Sequence, residues 1–155
     1  MSRFMGDESP RTLEVFCDCV SVMLKDGILT REERRLIAAL SRSLELKDGE
    51  PLKVYEKVKI GEKMIGGKII SRKNQLKVYQ NIYEIALVGA LSKDEWRILA
   101  FLRQRFNITE EEHNKIQNDL KNNIKERYEP KVVESLLKTI EDSATTITKL
   151  IGRLF

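Results

Sequence analysis

The segment LKDGILTREERRL, which begins at Leu24, contains the side chains of this sequence that most resemble a metal site. Its Asp-Gly pair and following Glu are similar to the second half of an EF-hand calcium loop. If Gly27 takes the sixth position of that loop, the first and third positions fall on Val22 and Leu24, which carry no ligand oxygen. Calcium takes about six to eight oxygens. Only Asp26 and Glu33 supply them, so the segment is a poor calcium loop.

The same residues are explained without an ion as a corner between two helices. Gly27 suits the left-handed backbone that ends many helices, and Leu29 can pack into the corner. Thr30 followed three residues later by Glu33 is the pattern of a capping box, in which each side chain bonds the other's backbone. We therefore predict that the segment turns the chain rather than holds a metal.

Residues suited to catalysis do not form a recognisable set. The sequence places no Ser, Cys or Asp beside the one histidine, His113, as a catalytic triad requires. Cys17 and Cys19 lie two apart, so on a helix they point to different faces, which suits neither a disulfide nor a shared metal. The GGK sequence that ends at Lys68 lacks the spacing of a phosphate loop and predicts a flexible connection. We expect no enzymatic activity, no catalytic residues and no cofactor.

Composition and charge indicate a helical globular protein with a basic middle. The 155 residues are 41% hydrophobic and 34% charged, which suits one domain, and no signal peptide or transmembrane run is evident, so we expect a cytoplasmic protein. Residues 53–77 carry eight basic and two acidic side chains, whereas the whole chain has a net charge of +4. We predict a basic surface that suits RNA, a ribosome or another acidic partner, with the candidate residues Lys63, Lys68, Arg72 and Lys73.

Helix start signals recur along the chain, each ahead of an apolar stripe of three- and four-residue spacing. They are Ser9 with Pro10, Thr30 with Glu33, Asp48 with Pro51, Ser71 or Asn74, Ser92 with Glu95, Thr109 with Glu112, and Pro130. These signals predict an all-α protein of about seven helices.

A shift of 62 residues aligns the chain with itself without a gap. It places residues 27–46 on residues 89–108, and six of these twenty positions are identical. Caps, turn glycines and apolar stripes coincide, which predicts two three-helix repeats at about 9–60 and 71–128 that share one core in a pseudo-two-fold bundle.

The duplicated corner, KDGILTREE in the first copy and LSKDE in the second, resembles the tellurite-resistance B (TerB-like) helical family, which also includes the N-terminal domain of a membrane-anchored J-domain co-chaperone. The resemblance covers about residues 9–128. It implies a protein-interaction role in stress-response complexes and a metal site at the corners, with Asp26, Glu33 and Glu95 as candidate ligands for a divalent cation. Val88 stands where the family pattern prefers Asp, which removes one such ligand.

The last segment, about residues 131–153, lies outside the duplication and predicts one amphipathic helix. Such a stripe requires a partner surface. Packing across the two repeats is the first interpretation; a homodimer or partner interface and an interfacial membrane helix are alternatives. The stripe residues are Val133, Leu137, Ile140, Ile147, Ile151 and Leu154.

The sequence thus leads to one leading functional hypothesis and two alternatives. The leading hypothesis is a non-enzymatic, TerB-like interaction module with a protein partner. The first alternative is a basic RNA- or ribosome-associated factor, and the second is a regulator that binds a divalent metal at the acidic corner.

The corner interpretation predicts that divalent cations leave the melting temperature unchanged. Thermal melting is measured with millimolar calcium, magnesium or zinc and then with a chelator. A ligand that binds only the folded chain raises its stability as its concentration rises. A melting temperature that rises with one of these ions and returns with chelator would contradict the prediction.

Overall fold

The computed structural model describes residues 9–88 and 96–154, without the side chains of Asp26 and of residues 152–154. Within these ranges the protein is all-α, as predicted, and a single 3₁₀ turn at Leu24–Asp26 follows the first helix. The helices are α1 (Thr12–Met23), α2 (Arg31–Ser43), α3 (Glu50–Lys59), α4 (Arg72–Val88), α5 (Arg97–Arg105), α6 (Glu110–Arg127) and α7 (Pro130–Leu154).

Two of the predicted capping boxes are present. The Thr30 backbone N–H donates to Glu33 Oε1 at 2.9 Å, and the Glu33 N–H donates to Thr30 Oγ1 at 3.1 Å. Thr109 and Glu112 form the same pair of bonds at the start of α6. The proposed box of Ser92 with Glu95 lies outside the described residues.

The structure has the helix order that the duplication requires. When α1, α2 and α3 are shifted by 62 residues, they overlap α4, α5 and α6 in turn. Helix α1 packs on α5 while α4 packs on α2, so the cross-repeat contacts are reciprocal, as expected for a pseudo-two-fold bundle. The buried side chains from both repeats and α7 belong to one core cluster.

The second helix of each repeat ends in the same way. Glu45 and Asn107, which are 62 residues apart, both have positive φ values, 56° and 49°. The next N–H donates back to the last turn in each case, from Leu46 to Ser41 O and from Ile108 to Arg103 O, both at 3.0 Å. This is the Schellman arrangement, which satisfies carbonyls that the helix end would otherwise leave unpaired.

Helix α7 lies against the second repeat. Its main contacts are with α4, α5 and α6, so the interpretation that it packs across both repeats is corrected. Ile140, Ile147 and Leu150 are buried, and Val133, Leu137 and Ile151 are partly buried against the core. The side chain of Leu154 lies outside the described residues.

The glycine-rich segment between the repeats is an ordered strap along α1, where the sequence predicted a flexible connection. Its backbone N–H groups at Met64, Gly66 and Lys68 donate to the side chains of Cys17, Glu14 and Thr12, at 3.4, 2.8 and 3.0 Å. We call residues 60–70 the strap.

The strap also explains why α1 starts later than its sequence signal. Ile70 N–H donates to the Pro10 carbonyl, and Arg11 forms an isolated antiparallel bridge with Ile69. These contacts hold Arg11 extended, so the helix begins at Thr12. Because the strap and the helices α2, α3 and α5 pack around α1, Cys17 and Cys19 are both buried as free thiols, although they point to different faces.

We predict that Gly67→Ala strongly destabilises the fold. Gly67 has a φ of 92°, and a Cβ there would lie 2.6 Å from the backbone nitrogen of Leu13. The strain of positive φ and this collision together are expected to lower the free energy of unfolding by more than about 2 kcal/mol in urea denaturation.

The matched control is Gly61→Ala. Gly61 has a φ of 80° but open space around its Cα, so this variant carries the backbone strain without the collision. It should cost about 1 kcal/mol. Equal losses in the two variants would show that the close packing of the strap on α1 contributes nothing.

Candidate docking groove

An open groove of about 410 Å³ lies on the first repeat between α1, α2 and α3. Its lining is mainly apolar, with Arg34 and Ser41 as the polar exceptions. The lining residues are Phe16, Leu29, Arg34, Ile37, Ala38, Ser41, Pro51 and Tyr55.

The equivalent positions of the second repeat are covered. Ala38 is exposed and Ile37 is partly exposed, whereas Ala100 and Leu99, 62 residues later, are fully buried. The same change occurs between exposed Arg34 and buried Trp96. The groove is therefore the uncovered counterpart of a surface that is part of the core in the second repeat.

Helix α7 is the element that makes this difference. It packs on α4, α5 and α6, which correspond to α1, α2 and α3, the three helices that line the open groove. Among the described helices, α7 alone has no counterpart in the first repeat. The second repeat thus shows how an amphipathic helix occupies this type of surface.

The open groove and its covered counterpart carry their basic residues at different positions. Arg34 lines the open groove, and Lys59 Nζ lies 5.5 Å from the centre of the Tyr55 ring, which also lines it. The equivalents of Arg34 and Tyr55 in the second repeat are uncharged Trp96 and Gln117. An occupant of the open groove therefore meets a cation at Arg34 that α7 does not meet at Trp96, whereas Lys59 and Ser41 correspond to the basic residues Lys121 and Arg103.

Beneath α7, the second repeat contains a buried cluster of aromatic and polar side chains. Tyr83 contacts Tyr79, Trp96 and His113 with ring centres 5.7, 5.9 and 5.9 Å apart, and its hydroxyl bonds to Ser143 of α7. Burial raises the pKa values of Tyr79 and Tyr83. The cluster links α4, α5 and α6 to α7.

His113 is buried on α6. Within the described residues, His113 Nε2 and the Tyr79 hydroxyl have no hydrogen-bond partner. Burial, with a smaller contribution from the positive charge of Arg103, lowers the pKa of His113 to about 4. The imidazole is therefore neutral at physiological pH.

Glu33, one of the candidate metal ligands, has the guanidinium group of Arg97 as its partner. Glu33 is buried, and its Oε2 lies 3.5 Å from Arg97 Nη2 across the two repeats, while its Oε1 caps α2. The side chain of Asp26 and all of Glu95 lie outside the described residues. No group of three or more candidate ligands was found in the part of the chain that the structure describes.

Arg97 was missed by sequence reasoning, although a signal was present. The 62-residue shift aligns Glu33 with Glu95 and Arg35 with Arg97, so each repeat contributes one acid and one base to its second helix. A two-fold arrangement places the acid of one repeat near the base of the other, as Glu33 and Arg97 are placed.

The predicted basic surface contains three exposed lysines and one arginine that is already engaged. Arg72 pairs with Glu112 and also donates to the carbonyls of Phe106 and Asn107, so it fixes the start of α4 to the α5–α6 corner. The hydrogen bond that the Thr109 backbone N–H donates to Glu112 lowers the pKa of this carboxylate most, and the contact with Arg72 lowers it further. The exposed residues Lys63, Lys68 and Lys73 form no ion pair with any described residue.

Comparisons with known proteins do not add a family. No family model matches this chain, and neither a curated protein nor a solved structure matches it. The resemblance to the TerB-like family therefore stays a prediction. Within the described ranges, none of the helices has the length and apolar character needed to cross a bilayer.

We predict that stability falls as the pH is lowered from about 6.5 towards 4 because of His113. Its pKa is about 4 in the folded chain, whereas an unperturbed imidazole has a pKa of 6.5. Between these values the unfolded chain binds the proton and the folded chain does not, so acid favours unfolding. The contribution reaches up to about 1.4 kcal/mol per pH unit in urea denaturation.

His113→Leu should remove this contribution and flatten the stability profile in that pH window. Gln117→Leu is the control, because Gln117 bonds to the Tyr83 hydroxyl of the same cluster but does not titrate. An equally steep profile in the His113 variant would assign the acid sensitivity to other groups.

Proposed function

We propose that this protein is a non-enzymatic interaction module that receives an amphipathic helix of a partner protein in the groove between α2 and α3. The observation that supports the proposal is the relation between the repeats. The chain covers one of two related surfaces with its own helix α7 and leaves the other open. Helix-in-groove recognition, in which apolar anchors repeat every three or four residues, is a common mode of protein binding.

The seating of α7 suggests what the partner helix looks like. On α7 the buried positions are Ile140, Ser143, Ile147 and Leu150, a three- and four-residue repeat with one small polar member. A partner with the same spacing can place its apolar side chains against Ile37, Ala38 and Tyr55 of the open groove.

Charge complementarity favours an acidic partner helix. Arg34 in the groove and Lys59 beside Tyr55 are both exposed. Carboxylates at the edge of the partner's apolar stripe would pair with these cations, which sets orientation and excludes basic helices more than it adds affinity. A stress-response complex of the tellurite-resistance type is the setting that the resemblance in the sequence suggests.

The two alternative functions have less support. An RNA- or ribosome-associated factor would use Lys63, Lys68 and Lys73, but Arg72 is bound within the fold. Tyr79 is buried, and Tyr55 is only partly exposed, with Lys59 Nζ 5.5 Å from the centre of its ring, so neither ring is a freely exposed stacking platform. For the divalent-metal regulator, Arg97 already neutralises the Glu33 carboxylate.

We predict that a photo-crosslinker in place of Ser41 captures a partner through an acidic amphipathic helix. Ser41 lines the groove and is partly exposed, so the probe faces an occupant without filling the site. The full chain is expressed in its source cells, irradiated, and the crosslinked peptide is identified by mass spectrometry. That peptide, made synthetically, should bind the purified chain.

Ile37→Glu should weaken binding of this peptide about tenfold or more, because a charge replaces an apolar anchor of the groove. The variant should still fold, since Ile37 is only partly buried, and thermal melting checks this. The control probe replaces Asn118, an exposed residue of α6. The proposal is wrong if both probes give the same adducts or if Ile37→Glu leaves the Ser41 adduct unchanged.

A further inference from the structure

The strap exposes three large aliphatic side chains within ten residues. Ile60, Ile65 and Ile69 are 70%, 83% and 59% exposed, although their neighbour Ile70 is buried in the core. Single exposed apolar residues are common on protein surfaces, but a cluster of them indicates an interaction site. An extended chain spans about 3.3–3.6 Å per residue, so Ile65 and Ile69 are no more than about 14 Å apart.

These isoleucines are displayed by a backbone that is fixed to the domain. The N–H groups of Met64, Gly66 and Lys68 all donate to side chains of α1. Gly67 makes a close approach to α1 that no other residue type allows. Because the backbone is already ordered, binding through Ile65 and Ile69 would lose little conformational entropy.

The charges around the isoleucines are predominantly positive. Lys63 and Lys68 flank Ile65 in the sequence, are exposed and form no ion pair within 4.0 Å among the described residues, although Lys63 lies close enough to Asp18 to stabilise its charge. The nearby acidic groups are engaged. Glu62 pairs with Lys57, Glu14 accepts the Gly66 N–H, and Asp18 on the adjoining face of α1 pairs with Arg105.

From this combination we infer that the strap is a docking site for the surface of an anionic phospholipid bilayer. Isoleucine side chains can enter the boundary between headgroups and acyl chains, while neighbouring lysines stay at the level of the anionic headgroups. The apolar and the electrostatic contributions come from the same short segment, since Ile65 lies between Lys63 and Lys68. The groove on α2 and α3 is not needed for this binding, so the inference is independent of the proposed function.

A bilayer explains the isoleucines better than RNA does. Aliphatic side chains neither stack on bases nor bond to phosphates, and the strap contains no aromatic residue. RNA would account for Lys63 and Lys68 alone and would leave the exposure of Ile60, Ile65 and Ile69 unexplained. The surface of an anionic bilayer accounts for both kinds of side chain, because the acyl region accepts the isoleucines and the headgroups attract the lysines.

The test is sedimentation of the full chain with vesicles. The native chain should bind phosphatidylcholine vesicles that contain about 30% phosphatidylglycerol, and should not bind phosphatidylcholine alone, because the lysines require anionic headgroups.

The double variant Ile65→Ser with Ile69→Ser should lower the partition coefficient at least about tenfold. Lys63→Gln with Lys68→Gln should also lower it about tenfold or more. All four side chains are exposed, so the fold should be retained, as thermal melting will check.

Ile28→Ser is the matched control, because Ile28 is 80% exposed but lies at the α1–α2 corner, away from the strap sequence. This variant should bind as the native chain does. A second measurement uses Ile65→Trp, whose indole emission should shift to the blue with the anionic vesicles. Ile28→Trp should show no such shift.

Three results would overturn the inference. One is the absence of native binding at millimolar lipid. Another is equal binding by the native chain and the Ile65/Ile69 variant, or equal loss with Ile28→Ser. The third is binding to single-stranded RNA that survives the isoleucine substitutions while no vesicle is bound, which would assign Lys63 and Lys68 to nucleic acid.

Discussion

In each repeat of this protein the three helices together form an apolar surface, which is stabilised when another element covers it. In the second repeat α7 packs on the three helices, and Ala100, Leu99 and Trp96 are buried. In the first repeat the equivalent surface is open, with Arg34 and Ser41 beside Ile37. The two related surfaces therefore differ, since α7 covers that of the second repeat and leaves that of the first repeat as an open groove.

The two repeats nevertheless share one core. Helix α1 packs on α5 and α4 packs on α2, and the Glu33–Arg97 pair joins the repeats at the same boundary. A buried carboxylate without its cation would be costly, so Arg97 and Glu33 depend on each other. The strap adds a third connection, because it runs from the end of α3 along α1 to the start of α4. Neither repeat is an independent body in this arrangement.

Local signals in the sequence predicted the helices, but they could not predict contacts between residues that are far apart in the sequence. Capping residues such as Thr30 and Thr109 act within one helical turn, so their pattern is visible in the chain itself. The bonds of the strap connect residues 47 to 56 positions apart, and glycine content alone suggested flexibility. The left-handed residue Glu45 was hidden for another reason, since its side chain gives no sign of positive φ. The duplication predicted two similar halves, but the side taken by α7 was fixed by the three-dimensional packing.

Helix α7 follows α6 after only Tyr128 and Glu129, and this short connection places the two related surfaces in different concentration regimes. A tethered segment faces its site at an effective concentration on the order of millimolar, whatever the abundance of the protein. The covered surface is therefore saturated at all times, and free helices at micromolar levels compete poorly for it. The partner helix that we propose for the open groove would have no such tether, so its occupancy would follow its abundance. Of two related surfaces, one is thus joined within the chain, and the other would respond to the concentration of a separate molecule.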